Sequence, residues 1–423
     1  MEYKKLEIKD GITLHTINTN KFKTNLIAVF LTTTLNKENV TKNALISSVL
    51  RRGSKNMPTQ EQISKQMENM YGASFDCGLD KTGNNQVLKF YLESINDNFL
   101  INKNENLLEK SIEKILEIVF NPNIENNRFI ESYVEQEKET IKNIIKGKVD
   151  NKARYAMDRC IEEMYGLSGF GLYKYGYIED LEQINSENLF NYYKKLINEC
   201  KIDIFVSGIV DEETVKIIKE NENIENLCQR KPVYEPTKLE KKQMPEEENI
   251  TTESMEVAQG KLVVGLDIDI ENEEEKYNVL IYNTILGGSA NSKLFQNVRE
   301  KAHLAYVASS AYIRHKNNIF INCGIDISNY SKTLDLVKEQ IEKMKNGEFT
   351  EEETENAKKV IISGIKSIND EQDSEITYYF GQELSNNEVS LDEYIKKIEK
   401  ITKQDVLKIA GKVYINTIYF LKD

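Results

Sequence analysis

Histidine is scarce. His15, His303 and His315 are the only three in 423 residues, and none has a second histidine or a cysteine at the spacing of a zinc ligand set. A zinc site built by this chain alone is therefore not expected. The five cysteines, Cys77, Cys160, Cys200, Cys228 and Cys323, are odd in number, far apart and form no Cys-x-x-Cys pair, which excludes a disulfide framework and points to reduced core thiols. Positive charge is in deficit, 56 Lys and Arg against 69 Asp and Glu for a net charge of −13. Such a chain repels a phosphate backbone or an anionic leaflet, so neither nucleic acid nor membrane is an expected partner. No apolar run approaches the roughly 18–20 residues of a membrane span, and the opening MEYKKLEIKDGITLHTI has no signal-peptide core. A soluble, cytoplasmic protein is the expectation.

What is present suffices for two or three domains with proper cores. The opening text and residues 25–35 (NLIAVFLTTTL) read as strands punctuated by an Asp-Gly turn, and 86–95 (QVLKFYLESI) as another. Helices are predicted over 42–52, over 59–70 with Thr59 as cap and Gln62 three residues on, and through 105–166.

Two segments share a plan. Residues 184–208 and 401–423 each open on an isoleucine, then a capping residue (Asn185, Thr402), an amphipathic helix and a closing strand. Leu189, Phe190 and Tyr193 match Val406, Leu407 and Ala410 at one constant offset, the pattern of a duplicated unit. Between the halves, residues 226–253 hold three of the five prolines and a dense mixed-charge run, which reads as a linker. The expected organisation is an N-terminal domain over 1–225, that linker, and a C-terminal domain over 254–423. Each is α+β, a mainly antiparallel sheet with helices on one face.

The most specific stretch is LGGSANSKLFQNVREKAHLAYVASSAY, residues 286–312. Gly287 and Gly288 permit a turn and a helix follows, but no Gly-Lys-Ser/Thr appears, so a nucleotide loop is not supported. As a whole, this stretch resembles the second-domain signature of the insulinase-like (M16, pitrilysin) inverted-zincin peptidases. GSKNMPTQEQISKQMENMYGASFD and YGYIEDLEQINSENLFNYYKKL are similar to two further segments of that family, so the resemblance spans nearly the whole chain. It implies two homologous halves in a clamshell arrangement.

Active members carry His-x-x-Glu-His on a first-domain helix and a third ligand, Glu, on a later one. Aligned on Gly53 and Pro58, the resemblance places Ala44 and Ser48 at the two histidines and Ser47 at the general base. In EKETIKNI (137–144), Glu137, Lys138 and Ile141 keep the later pattern, but Ile144 stands at the third ligand. The implied zinc site is degenerate at all four positions, so no cofactor is expected on this chain. The family's substrate-holding pair, an Arg and a Tyr seven residues apart in the second domain, is matched by Arg299 and Tyr306. A guanidinium and a phenol are suitable donors to a peptide oxygen. Lys293 departs from the family's usual Arg and is assigned no role.

The expected function is a catalytically inactive subunit pairing with a zinc-bearing homologue, which would carry the metal around an unfolded peptide. The alternative is a non-proteolytic peptide-binding or scaffold protein, such as a homodimer, with SFDCGLD (74–80) as the sheet edge that the resemblance to the family implies. The resemblance also leads to a bacterial zinc-site-deficient group whose name is associated with modification of elongation factor P. An independent hydrolase using Ser47 or Ser48 lacks an adjacent histidine.

Overall fold

The computed structural model describes residues 2–102, 105–227, 230 and 232–423. Their chain forms two compact units that are not contiguous in sequence. The first comprises Met1–Lys146, Ser168–Glu235 and Glu375–Phe380, and the second Gly147–Leu167, Pro236–Ser374 and Gly381–Asp423.

In the first unit, β1 (Glu2–Lys9) and β2 (Ile12–Asn18) form a hairpin whose turn uses Gly11 at φ +73. β3 (Thr24–Thr34), α1 (Val40–Leu50), α2 (Gln60–Asn69), β4 (Ser74–Thr82) and β5 (Asn85–Ile95) follow. Thr59 and Gln62 form the expected capping box, each satisfying a backbone N–H that the helix start leaves open. The helical run expected through 105–166 is three helices, α3 (Leu107–Phe120), α4 (Glu131–Gly147) and α5 (Lys152–Tyr165). A two-residue-per-strand hairpin, β6 (Ile124–Glu125) and β7 (Arg128–Phe129), interrupts them, turning through Asn126 and Asn127 at positive φ, a geometry asparagine tolerates. The one-turn α6 (Ile178–Leu181) leads to α7 (Ser186–Glu199), β8 (Lys201–Gly208), α8 (Glu212–Lys219) and α9 (Glu222–Glu225).

In the second half, β9 (Asn249–Ser254) and β10 (Gly260–Ile268) precede α10 (Glu275–Leu286), a π-helical segment Phe295–Lys301, β11 (Ala305–Ile313) and β12 (Asn318–Ile325). Then come α11 (Tyr330–Lys345), α12 (Glu351–Ile368), α13 (Gln372–Leu384), α14 (Leu391–Lys400), α15 (Lys403–Ala410) and β13 (Val413–Lys422).

The sheets run β1-β2-β8-β3-β5-β4 and β11-β12-β10-β13-β9. Setting β1 aside, the orders match strand for strand. In each, the last strand is inserted between the first two, parallel to one and antiparallel to the other. The two matched helix-strand segments are α7-β8 and α15-β13, with Asn185 and Thr402 both closing capping boxes. The fold is thus α+β in two halves of one topology, the sheets mainly antiparallel.

The main core of the first unit lies between the helices and one sheet face, through Ile12, Leu14, Val29, Phe90, Ile202 and Ile204. The opposite face is covered too. Phe380 of α13 meets Phe30 edge-on at 4.8 Å, and Tyr379 stacks on Tyr3 at 3.9 Å. Covered on both sides, β8 is buried along its whole length, and its polar side chains are paired, with His15 Nε2 3.0 Å from Asp203 Oδ1 and Lys201 on the same carboxylate.

In the second unit α5 packs on β10 and β13. Gly265 leaves the space that Met164 and Cys160 fill. Each unit therefore takes a helical segment from the other half of the sequence, so α5 departs from the expected 1–225 domain and Glu375–Phe380 from 254–423. The described residues of 226–248 make no helix or strand after α9 ends at Glu225, and several are fastened, with Arg230 on the Ile197 and Cys200 carbonyls, Glu235 on Asn85 and Lys242 on Asp267. The expected linker also ends early, because β9 begins at Asn249. The acidic run at 271–276 is held by ion pairs. Glu273 pairs with the buried Lys276, Glu274 with Lys397, and Glu271 and Glu275 with Lys412.

Candidate functional site

α1 is buried on almost every side, the environment of a helix with no solvent face. Its approach to α2 is set by Gly53, where a Cβ would lie 2.3 Å from the Pro58 carbonyl oxygen. Only glycine allows that contact. The turn is closed by Glu117, which accepts from Ser54 Oγ at 2.6 Å and from the Asn56 N–H at 3.0 Å.

Ala44 is buried in the first-unit core, Ser48 is half-buried and Ile144 of α4 packs against the core margin. Ser47 donates its hydroxyl to the Gly78 carbonyl of β4 at 3.2 Å, and the Cys77 thiol donates to the Ser47 carbonyl at 3.5 Å. These residues do not fit a zinc ion. Two offer no donor atom, and the Ser47 hydroxyl ties α1 to β4. Among the described residues no three His, Cys, Asp or Glu side chains stand together as a ligand group.

A cluster not anticipated from the sequence lies beside them. Glu137 of α4 is wholly buried and bonded to Arg52 Nε, while its second carboxylate oxygen has no hydrogen-bond partner. Cys77 feels both Arg51 and Glu137, and burial pushes its thiol up to about 11 against the pull of Arg51. It is a neutral thiol, not a nucleophile. His15 is no base for Ser47, since it lies on the opposite sheet face with Asp203 on Nε2 and Tyr3 on Nδ1.

The second-unit pair sits on an irregular stretch of backbone. Arg299 belongs to the π-helical segment, whose end is marked by the Ala302 N–H reaching the Asn297 carbonyl. His303 then takes φ +52, the left-handed region, uncommon for a residue with a Cβ. Tyr306 is the extra residue of a β-bulge, because Ala305 faces Ile325 and Val307 faces Gly324 with no partner between. π-helical turns and bulges recur at functional sites because they re-aim side chains. Here both side chains reach solvent, Arg299 at 44% and Tyr306 at 62% exposure. β11 is the end strand of its sheet, and the Tyr306 hydroxyl donates weakly to Asp326 Oδ1 at 3.5 Å. The Arg299 guanidinium lies over the Phe295 ring, 4.6 Å from its centroid, with Nε 3.4 Å from Glu300. Only the seven-residue spacing was legible in the sequence. The bulge and the ring beneath the guanidinium were not, although a phenylalanine four residues before an arginine in helical text was a usable signal.

Comparison with known proteins identifies the family and the fold. Residues 183–361 match the family described as Peptidase M16 inactive domain. The chain is 33% identical over 418 residues to the probable inactive metalloprotease YmfF of Bacillus subtilis (strain 168), covering 97% of this chain and 96% of that one. It is 24% identical over 292 residues to an uncharacterized zinc protease of the same bacterium, YmxG, covering 68% of this chain and 70% of the relative. Among solved structures, a conserved protein from Enterococcus faecalis V583 superposes with a TM-score of 0.91 at 28% identity, covering 100% of this chain and 99% of that one. The fold is also that of a peptidase M16 inactive domain from Pseudomonas fluorescens, with a TM-score of 0.79, 17% identity and coverage of 100% and 98%. With a relative this similar along nearly its whole length, the chain belongs to the peptidase M16 family as an inactive metalloprotease homologue.

Proposed function

We propose that this chain is the inert member of a two-subunit peptidase. It pairs with a zinc-bearing M16 homologue in the cytoplasm, the partner supplies the metal, and Arg299 and Tyr306 donate to oxygens of an unfolded peptide. The observation that carries this reading is the contrast between the two candidate sites. Of the positions aligned with ligands, Ala44 and Ile144 are taken up in packing and Ser47 in a hydrogen bond, with Ser48 half-buried beside them. The 299–306 segment, by contrast, keeps three backbone irregularities that hold a guanidinium and a phenol in solvent. The left-handed backbone of His303 alone costs about 1–3 kcal/mol, and such strain clusters at functional sites. The free thiols of Cys77, Cys160, Cys200 and Cys323 support a reducing compartment; Cys228 lies outside the described residues.

The test is casein hydrolysis and zinc content for the purified chain alone and then mixed with the zinc-bearing homologue of the same organism. Turnover is expected only in the mixture, and Arg299→Ala should lower it by about 10-fold to 100-fold, the loss of one charged donor. Full turnover with Arg299→Ala, or hydrolysis by the chain alone with stoichiometric zinc, would overturn the proposal.

A second reading, peptide capture without cleavage, is favoured by one observation. β4 (Ser74–Thr82), which contains the 74–80 segment, is the end strand of the first sheet, and such a strand offers backbone groups to an added peptide strand. Stable casein binding without turnover in any mixture would select it.

A further inference from the structure

We propose that Phe295 is the positioning residue for Arg299, holding its guanidinium edge-on to the peptide oxygen it would bind. The inference rests on the reading of Arg299 as a peptide-binding donor and adds what makes that donor effective. A guanidinium hydrogen-bonds only in its plane, so a ring under its face uses the surface that cannot donate and leaves the N–H edge free. Phe295 can supply that ring because it is itself fixed. It is half-buried at the head of the π-helical segment, next to the fully buried Leu294 and three residues before the fully buried Val298. Glu300 lies beside Nε, which leaves the two terminal amino groups as the donor pair the proposal assigns to the ligand. Two parallel N–H groups suit an acceptor with two coplanar oxygens, or one carbonyl oxygen bridged by both. The chemistry favoured is therefore a peptide carbonyl, or the carboxylate of an acidic side chain or chain end. An unsupported arginine at this exposure would spread over many rotamers and lose binding entropy on each encounter.

Three variants of the full-length chain separate the possibilities. Phe295→Leu keeps apolar volume and removes the ring, Phe295→Tyr keeps the ring, and Arg299→Ala removes the donor. Two readouts are taken. One is the Nε–H resonance of Arg299 in the free protein, assigned by its loss in Arg299→Lys, which reports the ring current directly. The other is anisotropy of fluorescein-labelled, unfolded casein. Phe295→Leu should move the resonance toward the random-coil position and weaken casein binding by about threefold to fivefold, the size of one exposed cation–π contact. Phe295→Tyr should do neither. An unmoved resonance in Phe295→Leu, or casein affinity equal to wild type while Arg299→Ala binds weakly, would overturn the proposal and leave Arg299 its role. Equal binding by wild type and Arg299→Ala would overturn the functional reading itself, and the proposal with it.

Discussion

At the scale of single residues, the Arg52–Glu137 pair is the sharpest case of a buried charge kept only by its partner. Glu137 has no exposed surface, and Arg52 is the cation bonded to it. Removing one partner of such a pair strands the other, whereas replacing both with apolar groups is often tolerated. Arg52→Met is expected to cost about 3–5 kcal/mol and the double substitution Arg52→Met, Glu137→Leu much less, in a urea-denaturation double-mutant cycle. Additive costs would show that the two side chains are not coupled. Glu375 poses the converse problem. It is buried with one carboxylate oxygen unpartnered, and burial pushes its carboxyl up to about 7 from an ordinary 4.5, despite the opposing pull of Lys21. The folded chain then holds a proton between pH 4.5 and 7 that the unfolded chain releases, so this contribution is complete below pH 4.5 and lost as the pH rises through 7. Glu375→Gln should raise the melting temperature at pH 8, leave it nearly unchanged at pH 4.5, and flatten the pH dependence between them. Equal shifts at both pH values would sink this account.

At the scale of elements, one carboxylate joins α5 to two strands of its sheet. Glu253 of β9 accepts from Tyr155 Oη at 2.5 Å and Arg159 Nε at 3.0 Å of α5, and from Tyr419 Oη of β13 at 2.7 Å. Burial alone would raise its pKa, but these donors outweigh burial and hold it below the usual carboxylate range. Burial and the same carboxylate push Tyr155 up to about 12. Glu253→Gln should cost about 1–2 kcal/mol and raise amide exchange in α5 before that in β10; uniform exchange across both would argue against a local role.

Elements of this kind divide by how local their causes are. α2 was legible because a capping box is a four-residue signal, and β3 and β5 because β-branched runs bounded by turns are. The hairpin at 124–129 was missed since its two-residue strands carry no periodicity. The π-helical segment read as an ordinary helix because the extra residue per turn leaves no compositional trace. The positions that the resemblance aligns with zinc ligands were read from the spacing of Gly53 and Pro58 and from the 137–144 pattern, whereas Arg52, just past α1, meets Glu137 of α4, and Cys77 of β4 lies beside Glu137, through tertiary packing that no local pattern encodes.

At the scale of the whole chain, the exchange of helical segments makes the sequence halves unequal to the compact units. A fragment ending in the linker keeps α5 but leaves the first sheet without Phe380 and Tyr379, and the complementary fragment lacks the helix that fills the space over Gly265. Residues 1–235 and 236–423 are therefore expected to be aggregation-prone when expressed apart and to recover a cooperative melt when co-expressed. Two independently soluble, cooperatively melting fragments would contradict the importance of the exchanged segments.

The bulge at Tyr306 has a bearing on colloidal behaviour as well. An end strand with an unbroken row of amide and carbonyl groups is a template on which other copies stack. On β11 the unmatched residue breaks that row near its start and adds local twist. A ladder begun by a neighbouring molecule would lose register there, so the same distortion that turns a phenol toward solvent keeps the strand from seeding fibres. Restoring regular pairing by deleting Tyr306 would be expected to shorten the lag before thioflavin-positive aggregates form.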